Sequence, residues 1–255
     1  MNSIPPIYLG TVLLELNRWN KDDNTLTFKT SDWAQRLADD GFDGLELWQY
    51  HATRVDDGER DFLRGGPCPV KVFNSYCDCD PEGAEERKKI AELAVELGAN
   101  GMKYNSGKDV ERHDIYVESL RAWRAMLPPD FRLMCECHRG STMADTALAD
   151  QTLDRLGREN FGMIIHGMNN DEATVRERFG AYGDRIVHIH ACLSKDGVMT
   201  EKEVCERLEL LRELGFDGTF TLEFTEGMRD GLTQEELYRN ALRDFRLLRR
   251  CLEKA

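Results

Sequence analysis

The chain is expected to fold as an α/β protein, one (β/α)8 TIM barrel over residues 1–255, and three observations point there. Short apolar runs alternate with amphipathic segments eight times, at a pitch of roughly 30 residues. No linker or shift in composition divides the chain, and 255 residues, 41% of them hydrophobic, suit one large core. Four consecutive apolar runs in the second half end in ionisable side chains, where this fold builds its active sites. An open doubly wound sheet is the alternative. It lacks its usual marks, because no Gly-x-Gly-x-x-Gly follows the first run and no Walker motif occurs.

The first strand is Ile7 to Leu13, which runs into Glu15, Asn17 and Trp19. A helix starts at the Thr30/Ser31 cap, carries Trp33, Leu37 and Ala38 on one stripe, and stops at Gly41. The second strand, Gly44 to Trp48, leads to His51, and a short polar segment from Arg54 to Leu63 follows. The third strand is Val70 to Ser75. The helix after it is the clearest of all: Asp80-Pro81-Glu82 opens it, Ile90, Leu93, Ala94 and Leu97 recur at helical spacing, and Gly98 closes it.

The fourth strand, Gly101 to Asn105, precedes a helix with Tyr116, Leu120, Trp123 and Leu127 that ends at Pro128. The fifth strand begins at Arg132 and runs through Cys135-Glu136-Cys137-His138 to Arg139-Gly140, followed by a helix with Leu148, Leu153 and Leu156. The remaining strands are Phe161–His166, Ile186–Ala191 and Thr219–Phe224. The helices between and after them are Glu172–Phe179, Glu201–Leu214 and Gln234–Leu252.

The formal net charge of -13 makes the chain a poor non-specific binder of nucleic acid, whose phosphates it would repel. No dense Lys/Arg run offsets this, and no window of 18 apolar residues suggests a membrane span. The N-terminus shows no secretory pattern. With eight cysteines and no zinc-type spacing, the thiols read as buried small residues in a reducing, cytoplasmic compartment. The expected partner is a small carbohydrate or polyol, with no nucleic acid and no membrane. A homodimer is compatible with the sequence.

Glu136, His166, His190 and Glu223 end strands five to eight. Adjacent parallel strands lie about 4.8 Å apart, so these ends can converge on one ion. Two carboxylates with two imidazoles suit Mn, Co, Zn or Fe better than Ca or an all-oxygen Mg site. On strand alternation His138 shares the face of Glu136 and is a candidate acid, base or substrate contact. Glu46, Trp48, His51, Lys103 and Arg139 are candidate substrate contacts. For each, a bland reading stands beside the functional one: a core cap for Trp48, a surface cation for Arg139. His188 faces with His190 one layer deeper, as a metal ligand, a donor behind one or a packed core residue, and it is also a candidate substrate contact.

At these residues the sequence resembles the xylose-isomerase-like barrel superfamily. That group includes sugar isomerases and epimerases, inosose dehydratases and the endonuclease IV type of nuclease. The resemblance spans nearly the whole chain. It rests on the order of Asp43-Gly44-Leu45-Glu46-Leu47-Trp48, Cys135-Glu136-Cys137-His138-Arg139-Gly140, Arg185-Ile186-Val187-His188-Ile189-His190, and Gly215-Phe216-Asp217-Gly218 ahead of Glu223. In its ketose epimerases one metal is held by Glu, Asp, His and Glu, and the two glutamates move the substrate proton. The resemblance thus implies Glu136 and Glu223 as ligands and acid/base pair, with His190 as a further ligand. Strand six departs: where the family has aspartate and, three residues on, histidine, this chain has His166 and Asn169.

The activity implied is a divalent-metal-dependent isomerase or epimerase of a non-phosphorylated keto-sugar or related polyol, working by proton abstraction alpha to the carbonyl and a metal-stabilised enediolate. The alternatives are a keto-cyclitol (inosose-type) dehydratase and a non-catalytic sugar-binding barrel.

Overall fold

A computed structural model describes residues 4–20, 25–138, 140–194 and 197–254. Eight parallel strands close into a barrel in sequence order: β1 (Ile7–Gly10), β2 (Gly44–Trp48), β3 (Val70–Asn74), β4 (Gly101–Tyr104), β5 (Arg132–Glu136), β6 (Phe161–Ile165), β7 (Ile186–Ala191) and β8 (Thr219–Leu222). Closure is made by β1 against β8, with Ile7 opposite Phe220 and Leu9 opposite Leu222. This is the expected (β/α)8 TIM barrel.

The helices are α1 (Ser31–Asp39), α2 (Tyr50–Thr53), α3 (Asp57–Gly65), α4 (Ala84–Glu96), α5 (His113–Ala125), α6 (Thr146–Leu156), α7 (Glu172–Tyr182), α8 (Glu201–Glu213) and α9 (Gln234–Lys254). The segment from Arg54 to Leu63, read from sequence as polar, lies largely in α3, and α2 stands just before it. Asp56 caps α3 by accepting from the Glu59 amide. Thr200 and Glu203 form a reciprocal capping box at the start of α8. Gly98 and Gly215 follow the ends of α4 and α8 at φ of 79° and 84°, a conformation that favours glycine. Among the described residues no helix is long and apolar enough to cross a membrane.

Strand alternation sorts the side chains into two layers. Ile7, Leu9, Leu45, Leu47, Phe73, Met102, Tyr104, Leu133, Cys135, Met163, Ile165, Ile189, Phe220 and Leu222 belong to the large core shared with the helices. A smaller apolar cluster, Tyr8, Val72, Met134 and Ile164, forms on the opposite face. Facing that way above it are the polar residues Glu46, Asn74, Lys103, Glu136, His188 and His190, all buried.

Two irregular registers set this order. Between β2 and β3 the pairing passes from Leu45–Val70 to Glu46–Val72, which skips Lys71. Between β6 and β7 it passes from Met163–Ile186 to Ile164–His188, which skips Val187. Gly162 makes room for the extra residue, since a Cβ there would lie 2.5 Å from the Val187 Cγ2. The skip places His188, and with it His190, on the same face as Ile164.

Strand ends differ from expectation by one to three residues. The first strand stops at Gly10, and Thr11–Leu13 form a 3-10 turn. The fifth stops at Glu136, the sixth at Ile165 and the eighth at Leu222, so His166 and Glu223 stand just beyond their strands. The cysteines also depart from the sequence reading, which took all of them as free thiols: Cys205 on α8 and Cys251 on α9 form a disulfide.

Candidate metal centre at the mouth of the barrel

Glu136, His166, His190 and Glu223 each offer one ligand atom, and these four atoms lie within 4.8 Å of one another. The His166 Nε2 is 2.9 Å from the Glu136 Oε1. The His190 Nδ1 is 3.1 Å from the Glu223 Oε2 and 3.6 Å from the Glu136 Oε1. Neither the His190 Nδ1 nor the Glu223 Oε2 has a hydrogen-bond partner, although both are buried. Buried polar atoms without partners are costly, and a cation would satisfy both at once. The donor set of two carboxylate oxygens and two imidazole nitrogens therefore fits one divalent transition ion or zinc.

Two of the four groups, His190 and Glu136, are held from behind. The Glu46 Oε2 is 3.1 Å from the His190 Nε2, leaving the Nδ1 turned toward the two glutamates. A carboxylate behind a ligating imidazole fixes its tautomer and raises its basicity. The Asn74 amide in turn donates to the Glu46 Oε1 at 2.7 Å. Lys103, only 2% exposed, places its Nζ 2.8 Å from the Glu136 Oε2, which leaves Oε1 to face the imidazoles.

Electrostatics show the same demand for positive charge. Burial opposes ionisation of Glu136, but Lys103, His166 and His190 outweigh it and hold the carboxyl well below the usual range. Burial likewise opposes a charged Glu46, which His190 and His188 nevertheless hold low. Burial would lower the pKa of His190, yet Glu223 and Glu46 keep it well above the ordinary imidazole value. Three buried carboxylates thus face the imidazole of His190 and the single cation of Lys103.

Several other sequence candidates take up different positions. Glu46 and His188 were read as substrate contacts, but their polar atoms are already engaged. The His188 ring lies 2.7 Å from the Thr219 Oγ1, 2.9 Å from the Thr221 Oγ1 and 3.3 Å from the Glu46 Oε2. His51 is also withdrawn: its Nδ1 meets the Thr11 Oγ1 at 2.8 Å and its Nε2 the Glu15 Oε2 at 3.0 Å, in a buried network. Lys103 is engaged with Glu136 rather than offered to a substrate oxygen. Trp48 is buried, with edge contacts to Tyr50, His51 and Tyr76, so it is part of a wall and presents no open stacking face.

His138 leaves the alternation because β5 ends at Glu136. Its amide turns back to donate to the Glu136 carbonyl at 2.7 Å, and the residue is exposed. Arg139 lies outside the described residues. Asn74 and Tyr76 were missed by the sequence reading. Asn74 had a signal, because alternation from Val72 puts it on the inner face. Tyr76 stacks on Tyr50 at 6.2 Å, and the Lys103 Nζ lies 4.8 Å from its ring centroid.

The solved structures that resemble this one share the whole barrel. The IolI protein with a bound zinc atom matches with a TM-score of 0.68 at 16% identity, over 95% of this chain and 98% of that one. L-ribulose 3-epimerase matches with a TM-score of 0.67 at 13% identity, over 99% and 97%. The probable 3-DHS dehydratase AsbF from Bacillus anthracis matches with a TM-score of 0.65 at 15% identity, over 97% of each chain.

The chain has the xylose-isomerase-like TIM-barrel fold. No family model matches the sequence, and no curated protein sequence does. In this xylose-isomerase-like barrel, strand six supplies His166 to the cluster, where the resemblance leads one to expect an aspartate. An imidazole in place of a carboxylate removes one negative charge from the ligand set. Asn169, three residues on, is half-buried in the loop after β6 and is not one of the four clustered groups.

Proposed function

We propose that this protein is a divalent-metal-dependent isomerase or epimerase acting on a keto-sugar or related polyol. The observation that carries the reading is the convergence of Glu136, His166, His190 and Glu223, with the His190 Nδ1 and the Glu223 Oε2 buried and unpartnered. The similarity of the barrel to an epimerase, a dehydratase and a zinc-bound protein supports an enzyme using such an ion.

A divalent ion bound by these four residues would supply Lewis acidity for a substrate carbonyl and its neighbouring hydroxyl. Glu223, with its Oε2 toward the ion, takes the proton alpha to the carbonyl on its other carboxylate oxygen. Glu136, held by Lys103 and His166, keeps its charge and stays in place, and Glu223 gives the proton it has taken to the adjacent atom, which completes an isomerisation. Glu46 keeps the His190 Nε2 occupied, so that the ring presents only its Nδ1. Burial excludes water from the carboxylates and strengthens each of these interactions.

Dehydration of a keto-cyclitol starts from the same proton removal, and product mass separates the two, since it includes loss of water. Elemental analysis of the purified protein and of Glu136→Ala and His190→Ala variants tests the centre. About one Mn, Co, Zn or Fe per chain is expected in the parent and none in either variant. Unchanged turnover of an identified keto-sugar by both Glu136→Gln and Glu223→Gln would sink the mechanism.

A further inference from the structure

The β8–β1 side of the mouth carries two arginines that form no ion pair with a carboxylate among the described residues. Arg18 and Arg229 both lie against the Trp19 ring, their guanidinium carbons 5.6 and 5.1 Å from its centroid. Trp19 is 52% exposed, and its ring is 6.0 Å from that of Phe224, the residue after Glu223. Arg18 donates to the carbonyls of Glu15 and Met228, and so ties the loop after β1 to the loop after β8. Its Nε is buried and has no partner. Arg229 is exposed and makes no ion pair among the described residues.

Among the described residues, Glu15 and Glu226 are committed elsewhere, and Asp230 is exposed beside Arg229. Glu15 accepts from Thr27 and from the Asn17 amide and faces His51. Glu226 pairs with Arg243. Burial, and then the neighbouring Arg229 charge, push Arg18 down to about 10 in spite of Glu15. Two cations at one exposed aromatic ring, one with a spare buried N–H, form a surface that an anion would relieve. Guanidinium forks match the planar oxygens of carboxylate and phosphate.

We propose that Arg18, Trp19 and Arg229 form an anion subsite, and that the molecule processed at the metal cluster is an acidic keto-sugar or polyol. Its carboxylate or phosphate rests on the two guanidiniums, and its carbon chain runs along Trp19 and Phe224 toward Glu223. The substrate part of this inference rests on the metal-dependent reading above. The anion subsite itself is tested separately from it.

The test is calorimetry and tryptophan fluorescence on the full chain with inorganic phosphate, D-gluconate and neutral D-sorbitol as probes. At least one anion is expected to bind and to change Trp19 emission, more weakly as ionic strength rises, while sorbitol has no effect. Phosphate binding alone would assign a phosphorylated substrate, and gluconate binding alone a carboxylate. Arg229→Gln, an exposed change, is expected to weaken the anion about tenfold. Lys202→Gln, on the exposed surface of α8, leaves it unchanged. Trp19→Phe removes the optical signal and keeps the calorimetric one. The subsite is overturned if neither anion binds, or if Arg229→Gln binds as the parent does. Metal content measured on the same samples separates the two readings. Metal retained without anion binding defeats the subsite alone. Anion binding without metal defeats the metal centre alone.

Discussion

The carboxylate of Glu46 and the imidazole of His190 meet at 3.1 Å, from strands β2 and β7, with neither side chain exposed to solvent. This contact decides which ring nitrogen faces the cluster. Glu46→Gln keeps the shape and removes the charge, and the glutamine can present either an oxygen or an N–H to the Nε2. Metal affinity is expected to fall 10- to 100-fold, as is typical when a partner behind a ligand is lost. Competition with a chelator of known affinity measures it. An unchanged dissociation constant would show that Glu46 has no influence on the ion.

Lys103 and Glu136 form a buried pair at 2.8 Å. Lys103→Met removes the cation and leaves the carboxylate in a dry site. In metal-free protein the expected loss is about 3–5 kcal/mol, the usual cost of breaking a buried pair from one side. Added Zn or Mn should recover part of that loss, because an ion at the cluster replaces the missing positive charge. Urea unfolding with and without metal checks both numbers, and equal losses in the two conditions would count against an ion beside Glu136.

His51 carries a pH prediction that does not depend on metal. Burial lowers its pKa below the ordinary imidazole value, against the raising effect of Glu15. The folded state therefore binds fewer protons than the unfolded state as pH falls below about 6.5. Stability should drop through that window, at up to about 1.4 kcal/mol per pH unit from this group, until the folded pKa is reached. His51→Gln should flatten that part of the curve. Denaturant midpoints between pH 7.5 and 5 measure it, and an unaltered slope in the variant would assign the acid sensitivity elsewhere.

Cys205 and Cys251 are 46 residues apart in sequence, with Cα atoms 5.1 Å apart. Closing a loop of that length is worth about 4 kcal/mol on the chain-entropy account. Reduction, or Cys251→Ser, is expected to lower the melting temperature without changing metal content, since the bridge joins α8 to α9 in the helical shell and touches none of the four clustered groups. Calorimetry with and without reductant, beside elemental analysis, separates the two effects.

The sequence by itself determined the barrel and the four clustered groups. Both follow from local patterns: alternation marks each strand, helical spacing marks each helix, and each clustered group sits at the end of its own strand. Glu136, His166, His190 and Glu223 could be read one at a time. What holds them could not. Glu46 and His190 are 144 positions apart and become neighbours through closure of the barrel and the inserted Val187, which no local pattern encodes.

The tertiary structure also decided which candidates are free to act. His51, His188, Glu46 and Lys103 are ionisable residues near strand ends, as the clustered groups are. Whether such a residue faces a substrate or a neighbour depends on which polar atom the next strand or loop brings within hydrogen-bonding distance. His138 shared the face of Glu136 only while the strand continued. Strand length is set by the adjoining strands' hydrogen bonds, and β5 ends at Glu136. The pairing of Cys205 with Cys251 likewise needed α8 and α9 side by side, an adjacency that exists only once β8 has paired with β7.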